Sequence, residues 1–594
     1  MKNKVNIQKS KDFKGSLKGI ILSLGKYKKY IFIVILLSIL SCIFSIVSPK
    51  ILGNATQELY VGIMNKLSNT GSINFNKINS ILLTCLILYI ISALLSYLCS
   101  YVMTNISQKY TYDLRNKISD KIHKLPFKYF DNKNNGEVLS IITNDVDTLQ
   151  VSLNNSLTQL ITSIVTVIGI LIMMLSINVV MSLISLLLIP IGGMLMGIIV
   201  KKSQKHFKNN QEYLAKVNGN VEEMFYGQKV IKAYNAKEDK MIDFKKNNKE
   251  LYEANFKSGF FSGLMHPIMM FVGNINYVMV AILGGYYASK GIITVGNIQS
   301  FISYSKNFTQ PIMQVTQVFN QVQSCVAAYE RINEFLNEEE EVNPTKRLDV
   351  SKLEGNVEFN NVQFGYNEKI IIKDFNININ KGEHVAIVGP TGAGKSTLVK
   401  LLMHFYKLNN GSIKIDGNNI DEYNLSDIRN IFGMVLQDTW LTSGTIMENL
   451  KYGNPSVTDE EVYEVCKMCN IDHFINSLKD KYNTVINEDV SNISQGQKQL
   501  LTIARTILAD NKILILDEAT SSVDTRTEEN IQNALDKLTK NKTTFIIAHR
   551  LSTIVNADVI LVINDGDIVE AGNHNELLKK KGFYYNLYNS QFEN

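Results

Sequence analysis

Residues 389–396 read GPTGAGKS and lie between an apolar run typical of a buried strand, 384–388, and a run with helical character, 397–404. Such a loop directs backbone N–H groups and a helix N-terminus at a phosphate chain. Its lysine, Lys395, reaches the outer phosphates, and the hydroxyl of Ser396 is placed to bind Mg²⁺. The stretch therefore predicts a strand–loop–helix unit that binds a nucleoside triphosphate.

A second run, ILILDE at residues 513–518, has the composition of a buried strand that ends in two carboxylates. A doubly wound sheet presents such side chains to a ligand at the carboxyl edge of its strands. Asp517 is suited to hold Mg²⁺, and Glu518 is suited to take a proton from an attacking water. Because this run follows the phosphate loop, we expect it to take part in phosphate chemistry.

The distribution of apolar residues divides the chain. Its 594 residues exceed a single hydrophobic core several-fold. Long apolar runs dominate residues 1–322, which we assign to a transmembrane domain, whereas residues 354–594 resemble a soluble α/β protein. Residues 323–353 carry an acidic run, 338–341, and are expected to form a solvated linker.

Six apolar runs have the length of about twenty residues that is needed to cross the hydrocarbon layer of a bilayer. They cover approximately residues 30–52, 78–104, 156–178, 179–200, 266–289 and 298–322. The third and fourth runs are predicted to form a tight hairpin, and the sixth is the least hydrophobic. A preceding stretch, 13–24, mixes apolar residues with lysines and predicts an amphipathic helix on the membrane surface.

Lysines are distributed asymmetrically around these runs. They are frequent in 1–29, 105–155 and 201–265, whereas the loops 53–77 and 290–297 are nearly free of basic residues. By the positive-inside rule, both termini and the two long loops are expected in the cytoplasm. The net charge of +6 then reflects membrane topology, and no basic patch interleaved with aromatic residues indicates a nucleic-acid partner.

A short motif before the second strand links the chain to a known family. Residues 493–497 read ISQGQ, which resembles the signature motif of ATP-binding cassette proteins. Residues resembling the other loops of that family, in the family order, are Tyr366, Gln437, Asp524 and His549. With the six preceding runs, the chain is similar to a bacterial half-transporter of the exporter type, of the multidrug or lipid kind. The resemblance implies six transmembrane helices followed by an α/β P-loop ATPase domain with a helical subdomain, in the cytoplasmic membrane.

The resemblance also implies roles for individual residues. It assigns catalysis to Glu518, His549 and Gln437, and Mg²⁺ binding to Ser396, Gln437 and Asp517. It assigns ATP binding to Tyr366, Gly389, Thr391, Gly392, Gly394, Lys395, Ser396, Thr397 and Asp517, with Tyr366 stacking on adenine. Ser494, Gly496 and Gln497 would contact the γ-phosphate held by a second subunit, and Asp524 belongs to the loop beside it. One chain therefore cannot complete an active site.

Some positions depart from the family pattern. Ile493 and Gln495 stand where Leu and Gly are usual, and the stretch around Glu488 lacks the Arg-Gly that usually follows it. Glu518 and His549 are intact, which indicates hydrolysis at the site built on this chain's own phosphate loop. The unbroken catalytic set and the long outer loop 53–77 resemble the catalytically intact half of heterodimeric exporters, so we favour a heterodimer over a homodimer.

The predicted spans contain few charges, which bears on the substrate. Within them Lys306 is the only clear one, and the sixth span carries a polar stripe that must face a cavity or another helix. Candidate cavity residues are Lys306, Asn307, Gln310, Gln314 and Gln317. We expect export of an amphipathic or hydrophobic substrate such as a drug, lipid or peptide. A lipid flippase, or an ATP-gated channel or regulatory subunit of the same architecture, remains an alternative.

Overall fold

The computed structural model describes residues 12–133, 135–366, 369–436, 439–486, 493–517, 525–547 and 554–590. The chain forms two compact units. A helical unit comprises the described residues up to His123 and those from Asn135 to Glu338. An α/β unit comprises the residues from Glu339 onward together with a short segment that begins at Lys124 and interrupts the helical unit in sequence.

Long helices, together with some short ones, build the first unit. They are α1 (Phe13–Ser23), α2 (Lys28–Leu67), α3 (Phe75–Lys124), α5 (Asn135–Ser140), α6 (Val146–Ile177), α7 (Val179–Tyr226), α8 (Gln228–Ala233), α9 (Lys237–Ser289) and α10 (Val295–Leu336), while the short α4 (Phe127–Asn132) belongs to the α/β unit. In the described residues five helical stretches are long and apolar enough to cross a membrane. Prolines lie inside α2, α7, α9 and α10, as is tolerated where neighbouring helices satisfy the backbone.

The helix bounds test several expectations. The amphipathic stretch 13–24 is helical as α1, and the tight hairpin is confirmed because only Asn178 separates α6 from α7. Asn178 accepts a hydrogen bond from the backbone N–H of Met181 at 3.0 Å and so begins α7. All six predicted spans fall in helices except for residue 178. The sixth lies in α10, which does not reach the apolarity of the five stretches.

Two boundaries differ from the sequence interpretation. The segment 53–77, which the sequence predicts as an outer loop, is mostly helical, since α2 continues to Leu67 and α3 begins at Phe75. The linker prediction is wrong for residues 323–336, which continue α10. Both errors have one cause: apolarity marks where a helix crosses the membrane, whereas the backbone hydrogen bonds that define the helix extend into polar sequence on either side.

The packing of α10 on α2 holds the centre of the helical unit. The hydroxyl of Tyr304 donates to the carbonyl oxygen of Ile46 at 2.8 Å, and Ser300 donates to that of Pro49 at 3.0 Å. Both donors are almost fully buried. Both acceptors lie in the turn of α2 that ends at Pro49, so the two bonds fix α10 against that turn.

Two main sheets build the α/β unit. The first has the order β12-β11-β3-β10-β9-β6, with all neighbours parallel except β11 and β12, and the second is antiparallel with the order β2-β1-β4-β5. The strands are β1 (Val357–Tyr366), β2 (Lys369–Ile379), β3 (His384–Val388), β4 (Asn410–Ile415), β5 (Asn418–Asn419), β6 (Phe432–Val435), β7 (Gly444–Thr445), β8 (Val485–Ile486), β9 (Ile513–Asp517), β10 (Thr543–Ile547), β11 (Val559–Asn564) and β12 (Asp567–Gly572). Strands β7 and β8 pair separately.

Helices pack against these sheets and form a helical subdomain near β7 and β8. In chain order they are α11 (Lys395–Leu402), α12 (Leu425–Arg429), α13 (Ile446–Lys451), α14 (Asp459–Met468), α15 (Asp472–Ser477), α16 (Gln495–Ala509) and α17 (Thr525–Thr539), followed by His574–Lys580 and Phe583–Ser590. One buried apolar cluster combines residues of both sheets with residues of α11, and a second joins α13–α16 to β6 and β9.

The remaining part of the predicted linker is mostly exposed, and it also makes specific contacts with the α/β unit. The backbone N–H of Leu348 donates to the carboxylate of Asp427 at 3.0 Å, and that of Leu425 donates to the side chain of Asn343 at 2.9 Å. Asp427 is buried and also forms an ion pair with Arg347 at 2.9 Å. The segment after Glu338 therefore folds as an edge of the α/β unit.

Candidate nucleotide-binding site

The phosphate loop connects β3 to α11, as its sequence predicts. Gly394 stands at the N-cap of α11 with φ 108°, a left-handed conformation that favours glycine. A Cβ atom at Gly389 would lie 2.1 Å from the carbonyl oxygen of Ile563. The loop therefore needs glycine at one position for its backbone turn and at the other for close packing against β11.

Lys395 is held inside this loop. Its ammonium donates to the carbonyl oxygens of Gly389 at 2.6 Å and Pro390 at 3.1 Å, and the residue is 7% exposed. Burial lowers the pKa of Lys395 below the ordinary lysine value, and attraction to Asp517 partly opposes that change. The charge is thus fixed at the loop and partly desolvated, which strengthens its attraction for an anion.

The other loop residues differ in exposure. Thr391, Gly392 and Ser396 are exposed, whereas Thr397 is buried beneath the first turn of α11. The first N–H groups of a helix have no partner within it and are available to an anion at this end. An exposed hydroxyl at Ser396 and an exposed backbone at Gly392 leave the anion-binding side of the loop open.

Asp517 lies at the same edge of the sheet as the loop. It ends β9 and is paired with Ile547 of β10, whose neighbour in β3 is Ile387. The carboxylate of Asp517 and the hydroxyl of Ser396 are hard oxygen donors of the type that Mg²⁺ prefers. The donor chemistry at this edge therefore fits Mg²⁺.

Tyr366 ends β1 beside a cluster of aromatic rings. Its ring meets Tyr406 edge-on with 5.1 Å between centroids, and Phe364 with 5.0 Å. A cavity of about 340 Å³ adjoins this cluster and is lined by Tyr366, Tyr406 and residues of α4 that include Asp131. The aromatic residue expected to meet adenine is therefore part of a packed cluster.

Helix α4 is part of the α/β unit through specific contacts. Phe127 stacks on Phe405 with 5.0 Å between centroids and 10° between planes. Asp131 accepts hydrogen bonds from the hydroxyl of Tyr406 and from Lys400 of α11, the latter at 3.1 Å. Burial acts to raise the pKa of Asp131, but these two hydrogen bonds outweigh it and hold the pKa below its usual value. These contacts attach α4 to α11 and to the aromatic cluster of the α/β unit.

The signature motif begins α16. Ser494 is the N-cap, and it forms a reciprocal capping box with Gln497: the N–H of Gln497 donates to its hydroxyl at 3.3 Å, while Gln497 accepts from the N–H of Ser494 at 2.9 Å. Gly496 is buried in the first turn. Ile493 is 6% exposed and packs in the apolar cluster of the helical subdomain, so the Leu-to-Ile departure keeps an apolar contact. Gln495 donates to Thr439 at 3.4 Å.

Four predicted site residues lie outside the described residues: Gln437, Glu518, Asp524 and His549. Their roles stay predictions. Sequence reasoning did not name Tyr406 and Lys400, which connect α4 to the aromatic cluster and to α11. The aromatic pair at 405–406, directly after the helix of the phosphate loop, is the signal that was available for them.

The polar stripe of α10 divides into two sets. Gln314 accepts a hydrogen bond from Ser163 at 3.1 Å, and Gln321 accepts one from Ser156 at 3.0 Å, so both pair with α6. The exposed members of the candidate set are Lys306, Asn307, Gln310 and Gln317. The ammonium of Lys306 lies 5.4 Å from the ring centroid of Tyr277 on α9.

A unit of long apolar helices followed by a phosphate-loop ATPase with a signature helix defines an ATP-driven membrane transporter subunit. Residues 31–312 match the ABC transporter transmembrane region, and residues 372–521 match the ABC transporter ATPase family. The chain belongs to the ABC transporter family, as a half-transporter of the exporter type.

Similar proteins span nearly the whole chain. A fatty acid ABC transporter ATP-binding/permease protein of Mycobacterium tuberculosis is 40% identical, over 98% of this chain and 97% of the relative. A putative multidrug export ATP-binding/permease protein of Bacillus subtilis is 32% identical, over 97% and 99%. An ATP-dependent lipid A-core flippase of Syntrophus aciditrophicus is 32% identical, over 86% and 85%.

The family fixes the general activity. The chain is a multi-pass membrane protein that binds ATP, hydrolyses it and uses it to drive export. A half-transporter carries one transmembrane region and one ATPase domain, so the working unit is a dimer.

Proposed function

We propose that the exported substrate is an amphipathic molecule with an anionic or neutral head, such as a fatty acid or a lipid. The observation that carries this proposal is the exposed Lys306, which lies beside the ring of Tyr277 and next to the polar stripe of α10. A lone cation inside a predicted span is costly unless it faces water, protein or an anion. The fatty acid transporter that shares 40% identity supports the same chemistry.

The test compares ligands of equal chain length and different head charge. ATP hydrolysis by the reconstituted transporter is measured with an alkyl carboxylate, an alkyl maltoside and an alkyl trimethylammonium. We expect the carboxylate to stimulate most in the wild type and the preference for it to disappear in Lys306→Gln, relative to the basal rate of that variant. Lys290→Gln is the matched control, because Lys290 also lies over a tyrosine ring, that of Tyr286 at 4.5 Å, outside the predicted spans. Stimulation by the cationic ligand alone would contradict the proposal.

Within the ATPase domain, Lys395 and the N–H groups at the start of α11 would bind the phosphates, and Tyr366 would contact adenine. Ser396 and Asp517, with Gln437, would hold Mg²⁺, which neutralises phosphate charge when it is bound. Glu518 would take the proton from the attacking water, and His549 would contact the γ-phosphate. Ser494, Gly496 and Gln497, with Asp524 nearby, would act on the nucleotide of the partner subunit.

The topology that we propose has six spans with both termini in the cytoplasm of a bacterium. The lysine asymmetry supports the orientation, and the named relatives are bacterial. The spans are those predicted from sequence, including 298–322 in α10. Cysteine labelling at Asn69 and at Asn586 of intact cells tests this arrangement: an impermeant reagent should reach the first and spare the second.

We favour a heterodimer with a second half-transporter as the working unit. The complete catalytic set supports this choice. The long outer loop predicted at 53–77 no longer supports it, because most of that segment is helical. Native mass spectrometry after co-expression with neighbouring transporter subunits tests the assembly. A stable, active pair of identical chains that forms in the presence of a candidate partner would contradict it.

A lipid flippase is the second candidate, because the lipid A-core flippase aligns over most of the chain. Flipping and export differ in the product: a flipped lipid stays in the outer leaflet, whereas an exported molecule leaves the membrane. A fluorescent lipid that becomes accessible to an aqueous quencher, with none released to an acceptor, favours flipping. Substrate movement that needs ATP binding without hydrolysis would instead favour the gated-channel alternative.

A further inference from the structure

A cavity of about 450 Å³ lies in the helical unit between α3, α10 and the turn that joins α1 to α2. Its walls include Lys26 and Tyr27 from the turn and Asp113 and Lys117 from α3. A shallower groove shares Lys26, Tyr27 and Asp113 and continues along α3 past Lys109. The two form one continuous depression, here called the elbow groove.

The elbow groove has an excess of positive charge. Lys26 pairs with Asp113 at 3.2 Å, and the hydroxyl of Tyr27 donates to the same carboxylate at 3.4 Å. Lys109 and Lys117 are exposed, and within the described ranges neither forms an ion pair with a carboxylate. Three lysines and one aspartate thus line the groove, and one of the lysines already neutralises the aspartate. The two remaining charges are available to an anion.

The groove lies at the level of lipid headgroups. The first predicted span begins at residue 30, three residues after Tyr27, and the second ends at residue 104. At 1.5 Å per residue, Lys109 lies about 8 Å and Lys117 about 20 Å beyond the end of that span. The headgroup layer on each side of a bilayer is about 5–8 Å thick. The groove therefore opens where a lipid phosphate is found and continues into the water beyond it.

Apolar exposure beside the groove indicates contact with a membrane rather than with a soluble anion. In α1, Ile21 and Leu22 are 64% and 68% exposed just before the turn that carries Lys26. Tyr112 of the groove is also exposed. Tyrosine is enriched at the headgroup level, where its ring contacts the apolar side of the interface and its hydroxyl contacts water. A soluble anion would have no use for these apolar surfaces.

We propose that the elbow groove binds the phosphate of an anionic phospholipid from the adjacent leaflet. Lys109, at the headgroup level, provides the charge that meets the phosphate, Lys117 adds attraction from the water beyond it, and the tyrosine hydroxyls and Asn333 line the rest of the cavity. Clusters of basic residues between helices at a membrane surface bind lipid headgroups in this way. The inference depends neither on the identity of the exported substrate nor on which leaflet the groove faces.

The experiment uses the full-length transporter in detergent and measures lipid binding by native mass spectrometry. The probes are dioleoyl phosphatidylglycerol and dioleoyl phosphatidylcholine. We expect the wild type to bind the anionic lipid more tightly, and Lys109→Gln/Lys117→Gln to weaken that binding by about fivefold, chiefly through the loss of Lys109 near the membrane surface. Binding of phosphatidylcholine should change little.

A matched control removes the same charge at the same end of the membrane domain. Lys28 and Lys29 are exposed at the start of α2 and do not line the groove. We expect Lys28→Gln/Lys29→Gln to bind the anionic lipid nearly as the wild type does. Lys109→Arg/Lys117→Arg should retain binding, which separates loss of charge from loss of fold, and thermal unfolding of every variant checks the fold directly.

Three results would overturn the proposal. Equal weakening in both Gln double variants would mean that general surface charge attracts the lipid. Unchanged binding in Lys109→Gln/Lys117→Gln would place the lipid elsewhere. Displacement of the lipid by excess glycerol phosphate, with equal affinity for the two, would identify a site for soluble phosphate esters.

Discussion

The ammonium group of Lys395 lies 2.6 Å from the carbonyl oxygen of Gly389, the first residue of its own phosphate loop. The loop thus holds its lysine with backbone acceptors of neutral charge, and burial destabilises the charged form further. A nucleotide offers phosphate oxygens in exchange, and a charge-assisted hydrogen bond to phosphate is stronger than one to a carbonyl. The lysine is therefore positioned but incompletely neutralised before ATP arrives.

Replacement of this lysine should remove nucleotide affinity. We expect Lys395→Ala to weaken ATP binding on the order of a hundredfold, since a hydrogen bond to a charged group contributes about 1.5–3 kcal/mol. The shift of the thermal unfolding midpoint by ATP measures it. Lys381→Ala is the control, because Lys381 is exposed before β3, at the other end of that strand. Equal ATP shifts in wild type and Lys395→Ala would remove the lysine from the phosphate site.

The general base is tested separately from binding. Glu518→Gln should keep ATP affinity and lower hydrolysis by roughly 10² to 10⁴, the usual range for loss of general acid–base catalysis. Single-turnover hydrolysis and nucleotide binding are measured on the same preparation. The variant should also accumulate as an ATP-bound closed dimer. A hydrolysis rate near that of the wild type would assign the proton transfer to another group.

We expect the contact of α4 with the aromatic cluster to transmit the effect of a bound transport ligand to ATP hydrolysis. Tyr406→Phe removes the hydroxyl that donates to Asp131 and keeps the ring, whereas Asp131→Asn removes the charge of the acceptor and keeps its shape. We expect both to reduce ligand-stimulated hydrolysis, and the double variant to be no worse than either single one. Tyr463→Phe is the control, because Tyr463 packs on Tyr482 in the helical subdomain. Additive losses would show that the two residues act independently.

The carboxylate of Asp131 should make the stability of this contact depend on pH only under acidic conditions. The folded-state pKa of Asp131 is lowered, so the charge stabilises the α/β unit above the unfolded-state pKa of about 3.9. That contribution is lost as the pH falls through the folded value. Across the neutral range the difference in unfolding midpoint between wild type and Asp131→Asn should therefore stay constant. If the difference in unfolding midpoint instead grows across the neutral range, from about pH 6 to about pH 8, another titrating group is involved.

The two sets of the α10 stripe should respond differently to leucine. Gln314→Leu leaves the buried hydroxyl of Ser163 without its acceptor, and interhelical hydrogen bonds in membranes average about 0.6 kcal/mol. We expect a lower unfolding midpoint in that variant. Gln317→Leu, at an exposed position, should keep the midpoint and change which ligands stimulate hydrolysis. The reverse pattern would place the substrate surface at Gln314.

The phosphate loop and the membrane helices were accessible to sequence reasoning for different reasons. The loop depends on backbone conformations that only glycine adopts readily, so GPTGAGKS predicts its own geometry. The length of the apolar runs located the membrane helices. The ends of α2 and α10, however, lie in polar sequence, where apolarity does not indicate a helix. The family resemblance was confirmed by relatives that cover nearly the whole chain.

Contacts between residues distant in sequence were not predictable. Whether Gln314 or Gln317 pairs with α6 depends on the rotation of α10, and an even polar stripe does not fix that angle. The binding of residues 343–348 to α12 depends on acceptors some eighty positions away, such as Asp427. Likewise, the partnership of Asp131 with Tyr406 joins residues that no local pattern connects.

Because α4 belongs to the α/β unit, the protein cannot be divided into its two units by a single cut in the sequence. An ATPase domain excised at residue 339 would lack Phe127, which contacts Phe405 and Tyr406, and would present that side of the aromatic cluster to water. Excision therefore favours aggregation of an otherwise complete catalytic domain. A chimaera that exchanges ATPase domains between two transporters must exchange residues 124–133 with them. The modular boundary of this protein is thus discontinuous in sequence.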